Sequence, residues 1–426
     1  MRNYCILLCT IFLYGQIAIA QKNHSVCILQ GVVKNRTSDT IYIRKSTQDL
    51  RAFLENPIKI PVKNGEFAYQ LPFTETEALE LIFQDELEKG SWSPILFFPY
   101  SGRVAFELYP QKDWLNNRVE GGILNKSYVT FRSENQRKFQ AAKNNLYQTR
   151  DSLIRINAFE TAAYQQIFKD LRQLKPDDQD GRVPLYQKSD EMEKTGARYT
   201  DLAKQLYVNP FDSLMREEYH WKYQYLTQHI SLSSYYSLWT DVMRVAKDNR
   251  IVAQYIRELF PVYKKQFPGH VYTKSIEQQL NGLQKVAVGN PFLDVKAFTL
   301  NGDTMQLSKA ITGKITLIDF WGSWCGPCIA KMRLVKPLYE RFKNKGFVIV
   351  GIAREFQSLA AVKNRIAIEN YVWQNLFDID DKLNVWNKYG INNGVGMMVV
   401  VDQQGKIVAI DPKASELEAL LIKTLE

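Results

Sequence analysis

The pattern of apolar and polar residues divides the chain into three regions. Residues 26–108 contain short β-branched and aromatic runs between turn residues, and Asn64-Gly65 is typical of a tight hairpin. Residues 129–283 place apolar side chains three and four positions apart, which is the period of amphipathic helices. From about residue 288, strand-like and helix-like segments alternate. The pattern predicts a multidomain chain with a small antiparallel β-sandwich or barrel, a central all-α region and an α/β domain.

The third region shows its order of elements most clearly. A hairpin around Asn301-Gly302 precedes two apolar runs, residues 315–321 and 347–352, which are typical of buried strands. The segments after the first apolar run predict a short strand at 373–377, a closing hairpin between 397 and 410, and helices at 329–344, 359–369, 382–389 and 416–425. We therefore expect a central sheet with an antiparallel end.

The length of 426 residues exceeds one ordinary domain, and the N-terminus has the features of a secretory signal. Arg2 is positive, residues 6–14 are apolar, and Ala18-Ile19-Ala20 offers a cleavage site before Gln21. The predicted parts are a signal peptide at 1–20, a β-sandwich-like domain at 21–110, a helical domain at 111–285 and an α/β domain at 286–426. No integral membrane segment is expected after cleavage, and a retained N-terminal anchor is the alternative.

Composition excludes several classes of protein. An apolar content of 45% and an aromatic content of 12% suffice for packed cores and exclude global disorder. The net charge of +10 arises from basic residues interspersed with acidic ones, so we predict a solvated basic surface and no nucleic-acid partner. Three of the five cysteines, Cys27, Cys325 and Cys328, follow the signal peptide. Cys27 is predicted to be a buried strand residue, which leaves one functional pair.

The segment Trp324-Cys325-Gly326-Pro327-Cys328 carries the candidate chemistry. It lies between the apolar run 315–321 and the predicted helix. A sulfur at a helix N-terminus is stabilised as a thiolate by unpaired N–H groups and the helix dipole, and the thiolate is the species that attacks a disulfide. We expect Cys325 to attack and Cys328, one turn later and more buried, to resolve the mixed disulfide. Pro327 suits the first turn of a helix, where its missing N–H has no intrahelical partner.

Two carboxylates are candidates for proton transfer. Asp319 lies in the apolar run before the motif, where burial would raise its pKa and let it exchange a proton with Cys328. A structural buried Asp is the alternative. Glu355 follows the second apolar run at the edge of the sheet, where sites of this kind form, and an exposed loop carboxylate is its alternative.

Other chemistries fit less well. One CxxC supplies two of the four ligands that a zinc site needs, and all four histidines precede residue 286. Position 329 is Ile, where haem attachment requires His, and no glycine-rich phosphate loop occurs. We therefore expect no metal and no cofactor.

Residues 317–328, with the sequence LIDFWGSWCGPC, closely resemble the signature of the thioredoxin superfamily. The hairpin before the catalytic strand and the insert at residues 356–373 resemble the exported TlpA/ResA-like branch, which contains membrane-anchored or periplasmic thiol–disulfide oxidoreductases, some of which reduce apocytochrome c. The resemblance covers residues 288–426 and implies a thioredoxin-like fold for the last domain. The two upstream regions resemble the N-terminal extension of exported bacterial relatives, which has no agreed function.

The resemblance also implies a substrate-binding surface and reveals two departures. The family places a cis-proline opposite its CxxC, and here Gly396 stands nearest to that position, preceded by Val395. A non-proline cis bond costs about 3–4 kcal/mol, so we expect a trans peptide. Arg333 stands where many relatives have a proline, and its charge is expected to favour the thiolate. The implied substrate-binding residues are Trp324, Gly326, Pro327, Val395 and Gly396.

The sequence thus predicts an exported, periplasmic thiol–disulfide oxidoreductase. Its expected partners are protein thiols or disulfides and an upstream membrane or periplasmic electron donor. The alternative is a redox-inactive or weakly active scaffold of the cell envelope that works through its N-terminal domains. A peroxidase fits less well, because Cys325 does not lie in a PxxxTxxC setting.

Overall fold

The computed structural model describes residues 25–49, 53–54, 56–175, 178–247, 249–391 and 395–426. The predicted signal peptide, residues 1–20, lies outside the described residues. These described residues form two compact units, one from the residues up to 44 together with those in 58–125, the other from the residues in 45–57 together with those in 126–426. In the part of the chain that is described, no helix is both long enough and apolar enough to span a bilayer.

The first unit is built from two four-stranded sheets that share one apolar core. The strands are β1 Ser25–Val33, β2 Thr40–Lys45, β3 Ile58–Pro61, β4 Glu66–Phe73, β5 Leu79–Phe83, β6 Ile95–Phe97, β7 Arg103–Leu108 and β8 Arg118–Glu120, with a short helix α1 Gln84–Glu88 after β5. The first sheet has the order β4-β1-β7-β8 and the second the order β3-β2-β5-β6. The turn Asn64-Gly65 has positive φ at both residues, as a tight hairpin requires. Strand β1 pairs with β4, β2 with β3, β5 with β6 and β7 with β8 in antiparallel fashion, whereas β1 pairs with β7 in parallel, which does not follow from the hairpin pattern.

Cys27 lies in β1 with its side chain fully buried in this core. Its thiol is free, and burial raises its pKa. The prediction of a buried strand residue is therefore confirmed, and the low thiolate content that burial imposes makes Cys27 a poor nucleophile.

The central region is helical, as the apolar period predicts. The aromatic residues that recur at helical spacing, Tyr223, Tyr235, Tyr263 and Tyr272 among them, form a buried core. The helices are α2 Ile123–Arg155, α3 Ala162–Gln173, α4 Gln179–Lys194, α5 Asp201–Ala203, α6 Asn209–Gln228, α7 Leu232–Arg244, α8 Arg250–Gln266 and α9 Val271–Lys285, and a π-helical turn at Lys204–Val208 joins α5 to α6.

The last region folds around a seven-stranded sheet. Its elements are β9 Lys296–Phe298, β10 Thr304–Gln306, β11 Ile315–Trp321, α10 Gly326–Phe342, β12 Phe347–Glu355, α11 Ala360–Glu369, β13 Gln374–Ile379, α12 Val385–Lys388, β14 Met398–Asp402, β15 Ile407–Ile410 and α13 Ala414–Leu425. The order of the strands in the sheet is β10-β9-β13-β12-β11-β14-β15. Strands β11, β12 and β13 are parallel, and both ends of the sheet are antiparallel. Apolar cores cover both faces, which explains why all seven residues of β11 are buried.

The predicted fold class is confirmed, and the main difference in this domain concerns one helix. Residues 382–389 were expected to be helical throughout, whereas α12 contains only four residues. Asp380, Asp381 and Asn384 adopt left-handed φ values, so a turn occupies the segment before the helix. Asp and Asn tolerate this conformation because their short side chains bond locally to the backbone. Apolar spacing does not reveal it.

Candidate active site

The redox pair lies where the buried strand β11 gives way to helix α10. Gly326 begins α10, and Cys325 is its N-cap residue. The Cys325 Sγ accepts the N–H of Cys328 at 3.3 Å, so this sulfur satisfies one of the free donors of the first helical turn. The two cysteines form a disulfide, and their Cα atoms lie 5.3 Å apart. The motif therefore occupies the strand-to-helix junction that its sequence context predicts.

Exposure does not distinguish the two cysteines as expected. Cys325 is 2% exposed and Cys328 is 4% exposed, so the prediction that Cys328 is the more buried one is wrong for the disulfide form. The reason is that Cys325, although it precedes the helix body, packs in the same core as Cys328 and Trp321. The two sulfurs differ instead in their donors. The Cys328 Sγ accepts the N–H of Gly396 at 3.3 Å, from the loop opposite the motif.

Gly396 is held against the disulfide by backbone pairing. Phe320 and Met397 exchange two hydrogen bonds, of 2.9 and 3.1 Å, which fix the loop beside the end of β11. A Cβ atom at position 396 would collide with the Phe320 carbonyl oxygen and lie 3.1 Å from the Cys328 Sγ. No peptide bond among the described residues is cis, so the expectation of a trans bond at Gly396 is confirmed. Any side chain at this position would therefore require the loop to shift away from β11.

Asp319 is a buried carboxyl on the face of the sheet that carries the cysteines. Side chains alternate along a strand, so Asp319 shares its face with Leu317 and Trp321, which pack in the same core as the disulfide. Burial raises the pKa of Asp319 to about 8. The charge of Lys331 opposes this rise and that of Asp411 adds to it. Asp319 is therefore largely protonated at neutral pH, as a proton donor to a leaving thiolate must be.

Lys331 and Asp411 are neighbours of this carboxyl that the sequence did not reveal. Lys331 lies on α10, and its ammonium is 3.7 Å from the Asp411 carboxylate. Asp411 is fixed by the N–H of Met398 at 2.9 Å, and Lys247 of the helical region also pairs with it. Lys331 lies one turn after Cys328 in the sequence, so its position could have suggested that it lies near the site. The position of Asp411, after the last strand, gave no such indication.

Glu355 anchors the turn that precedes the motif. Its buried carboxylate accepts the N–H of Ser323 at 2.6 Å. It is therefore not the exposed loop carboxylate of the alternative reading. The preceding residue, Arg354, was not predicted as part of the site. It is buried, pairs with Asp381 and Asp49, and offers its carbonyl oxygen to the Trp324 indole N–H at 3.0 Å.

An exposed apolar rim surrounds the buried disulfide. Trp324 is 36% exposed and Val395 is 44% exposed, and Gly326 and Pro327 are also exposed. The Trp324 indole folds back over Gly322, where a Cβ atom would collide with it. Four of the five predicted substrate-binding residues are thus accessible to a partner, and the fifth, Gly396, faces the sulfur.

Arg333 does not direct its charge at the motif as expected. Its guanidinium makes two hydrogen bonds with the Glu369 carboxylate, at 2.9 and 2.7 Å. Glu369 is buried, and the Arg333 hydrogen bond is the main reason that its pKa is lowered. The pair joins α10 to α11, and the hydrogen bonds of the guanidinium are made to Glu369 and not to the cysteines. Within the described residues, no cluster of three His, Cys, Asp or Glu side chains suits a metal ion.

Comparisons with known proteins show what the last region of the chain is similar to. The Redoxin family model matches residues 287–420. The thiol-disulfide oxidoreductase ResA of Bacillus thuringiensis is 29% identical over 128 residues, which is 29% of this chain and 69% of that protein. The thiol:disulfide interchange protein DsbE of Pseudomonas fluorescens is 30% identical over 108 residues, which is 25% of this chain and 55% of that protein. The crystal structure of the thioredoxin domain of a Bacteroides vulgatus thiol-disulfide oxidoreductase, 27% identical, covers 33% of this chain and 99% of its own, with a TM-score of 0.30.

Proposed function

We propose that this chain, whose residues 287–420 are a Redoxin domain of the TlpA/ResA-like thioredoxin type, is an exported thiol–disulfide oxidoreductase that acts on protein thiols. The observation that carries the proposal is the Cys325–Cys328 disulfide at the N-terminus of α10. A sulfur in this position is stabilised as a thiolate once the pair is reduced. The exposed rim of Trp324, Pro327 and Val395 supplies an apolar surface for a polypeptide.

The reaction transfers two electrons through the pair of sulfurs. An electron donor reduces Cys325–Cys328 to the dithiol, and the Cys325 thiolate then attacks a substrate disulfide. One substrate sulfur leaves as a thiolate and the other forms a mixed disulfide with Cys325. Cys328 attacks the Cys325 sulfur and releases the second substrate thiolate, so the substrate is reduced and the pair is oxidised again. Run backwards, the same steps oxidise a substrate dithiol.

Asp319 is the candidate proton carrier for Cys328. Cys328 must lose a proton when it attacks and regain one when it leaves. A carboxyl with a pKa of about 8 exchanges protons readily near neutral pH, and Asp319 lies on the cysteine face of β11. Glu355 has a different task in this proposal, because its carboxylate already holds the Ser323 N–H and thereby positions the turn.

Export and a periplasmic location are supported by the N-terminal sequence and by relatedness to ResA and DsbE. Expression with residues 1–20 attached and mass measurement of the mature chain test cleavage before Gln21.

Insulin reduction in the presence of a dithiol tests the activity. The wild-type protein is expected to accelerate insulin reduction, and Cys325→Ser is expected to abolish this acceleration, because the attacking sulfur is lost. Cys27→Ala is the matched control, since it removes a buried thiol in the other unit, and it should retain the wild-type rate. Cys328→Ser should accumulate a mixed disulfide through Cys325. An unchanged insulin rate in Cys325→Ser would refute the assignment.

The scaffold alternative is motivated by the glycine that replaces the family proline. It predicts a pair that stays in one redox state. Thiol trapping in glutathione buffers across a range of potentials separates the two functions: an oxidoreductase titrates between dithiol and disulfide within the range, and a scaffold does not.

A further inference from the structure

The loop opposite the motif presents a hydrogen-bond donor to the second sulfur. The Gly396 N–H donates to the Cys328 Sγ at 3.3 Å, and both residues are buried. A proline at this position, as in the related family pattern, has no N–H to donate. The substitution that looks like a loss in the sequence therefore adds a polar contact to a reacting atom.

The position of this donor is fixed by the backbone around it. The N–H of Phe320 donates to the carbonyl of Met397, and the N–H of Met397 donates to the carbonyl of Phe320. This reciprocal pair extends the pairing of β11 with β14 by one step beyond Asp319 and Met398. Any side chain at 396 would collide with the Phe320 carbonyl oxygen. The amide is thus oriented before any reaction begins, and it can stabilise a negative charge that develops on the sulfur without rearrangement.

We propose that the Gly396 N–H stabilises the thiolate that Cys328 becomes when the disulfide opens. The inference rests on the proposed oxidoreductase function and adds a residue to its machinery. When an incoming thiolate attacks the Cys325 sulfur, the S–S bond breaks and its electron pair stays on Cys328. A hydrogen bond to a charged sulfur is stronger than one to a neutral disulfide sulfur, so the contact tightens as the bond breaks.

This donor favours the reduced form and speeds the departure of Cys328, because a better stabilised thiolate leaves faster. The charged groups that act on Asp319 of β11 are Lys331 on α10 and Asp411 beside β14. Asp319 supplies a proton to the same sulfur, whereas Gly396 stabilises the sulfur before that proton arrives. The two residues therefore act on successive states of one atom.

Selective amide NMR tests the contact without disturbing the loop. The full-length Cys325→Ser variant leaves Cys328 as the one thiol of the motif. Labelling with ¹⁵N-glycine and ¹³C-carbonyl valine selects the glycines that follow a valine, and the exposed substitution Val395→Ile assigns the Gly396 peak by removing it from that set. We expect the Gly396 amide proton to move downfield as Cys328 ionises, at the pH where Cys328 alkylation by iodoacetamide accelerates. The Gly289 amide, which donates to the Ile407 carbonyl at 2.8 Å, is the control and should stay in place.

Repeating the titration in Cys325→Ser/Asp319→Asn separates the two titrating groups. The shift should persist, because it follows the sulfur and not the carboxyl. If the Gly396 peak stays fixed while Cys328 ionises, or if its movement vanishes with Asp319→Asn, the inference is wrong. Neither result depends on turnover. The inference can therefore fail while insulin reduction by the wild-type protein still supports the proposed function. Equally, the Gly396 peak can follow Cys328 ionisation in a protein that does not reduce insulin.

Gly396→Pro supplies an independent measurement. It removes the N–H, and the dithiol/disulfide equilibrium constant in glutathione buffer should shift about tenfold towards the disulfide. A tenfold change corresponds to a reduction potential about 30 mV more negative. A folded variant, shown by an unchanged far-UV spectrum, with an unchanged or raised potential contradicts the inference. If the variant does not fold, the NMR titration decides alone.

Discussion

At the scale of single residues, the proposed proton carrier is a carboxyl whose protonation is set by its surroundings. Asp319 is buried, and its pKa is raised to about 8, above its ordinary value near 4. Folding therefore binds a proton between about pH 4 and pH 8, and the contribution of this residue to stability falls as pH rises through that window. Activity should depend on the same proton.

Asp319→Asn is expected to separate stability from catalysis. The amide carries no charge, so the variant should unfold at a higher temperature than the wild type at pH 8–9 and lose that advantage near pH 4. Its rate of disulfide exchange at pH 7 should fall by about a hundredfold, which is the low end of general acid–base effects. Asp303→Asn, at an exposed turn, is the control and should change neither quantity. Thermal unfolding and insulin turnover across pH 4–9 provide both readouts, and a variant as active as the wild type would exclude Asp319 as proton carrier.

At the scale of elements, the short strand-to-helix junction was predictable and the contacts around it were not. Apolar runs indicated β11 and β12, and Cys325-Gly326-Pro327 indicated where α10 begins, because these signals are local in the chain. The approach of Asp411 to Asp319, the parallel pairing of β1 with β7 and the equal burial of the two cysteines depend on contacts between distant segments. Such contacts leave no periodic trace in one sequence. The role of Arg333 illustrates this limit, since its position suggested an effect on the thiolate and its partner Glu369 lies on another helix.

We expect the Arg333–Glu369 pair to stabilise the packing of α10 against α11 and to have little effect on the reactivity of the cysteines. Arg365 also pairs with the Glu369 carboxylate, and Lys336 donates to the backbone carbonyl oxygen of Glu369 at 2.6 Å. Arg333→Met should lower the free energy of unfolding by about 1 kcal/mol, because the guanidinium is half exposed and solvent screens part of its effect. Iodoacetamide alkylation of reduced Cys325 at pH 7 should change less than twofold. Lys363→Met, on the exposed side of α11, is the control for loss of a positive charge. A tenfold slower alkylation in Arg333→Met alone would restore the expectation that this charge favours the thiolate.

At the scale of the whole molecule, the helical region and the α/β domain form one compact unit with residues 45–57. Close backbone contact joins them: Gly282 on α9 approaches Gly390, which follows α12 and has a positive φ, and Gln279 donates to the Gly390 carbonyl oxygen at 2.7 Å in a buried setting. Ion pairs add to this contact, including that of Lys247 with Asp411, which is itself a neighbour of Asp319. The helical region therefore reaches the surroundings of the redox site through side chains and not only through the chain connection.

Gly282→Ala should show whether this unit unfolds as one. A Cβ atom at position 282 would collide with the backbone of Gly390, so α9 must shift away from the α/β domain. We expect a loss of about 1–3 kcal/mol in the free energy of unfolding, typical of overpacking, together with a calorimetric transition that broadens or splits because the two regions no longer melt together. Gly269→Ala is the matched control, since its new Cβ would meet nothing within 4 Å, and it should shift the transition little. Equal effects of the two substitutions would mean that the contact at Gly390 does not couple the regions. The ion pair of Lys247 with Asp411 is a separate contact beside Asp319, and Lys247→Met tests its influence through the pH dependence of disulfide exchange.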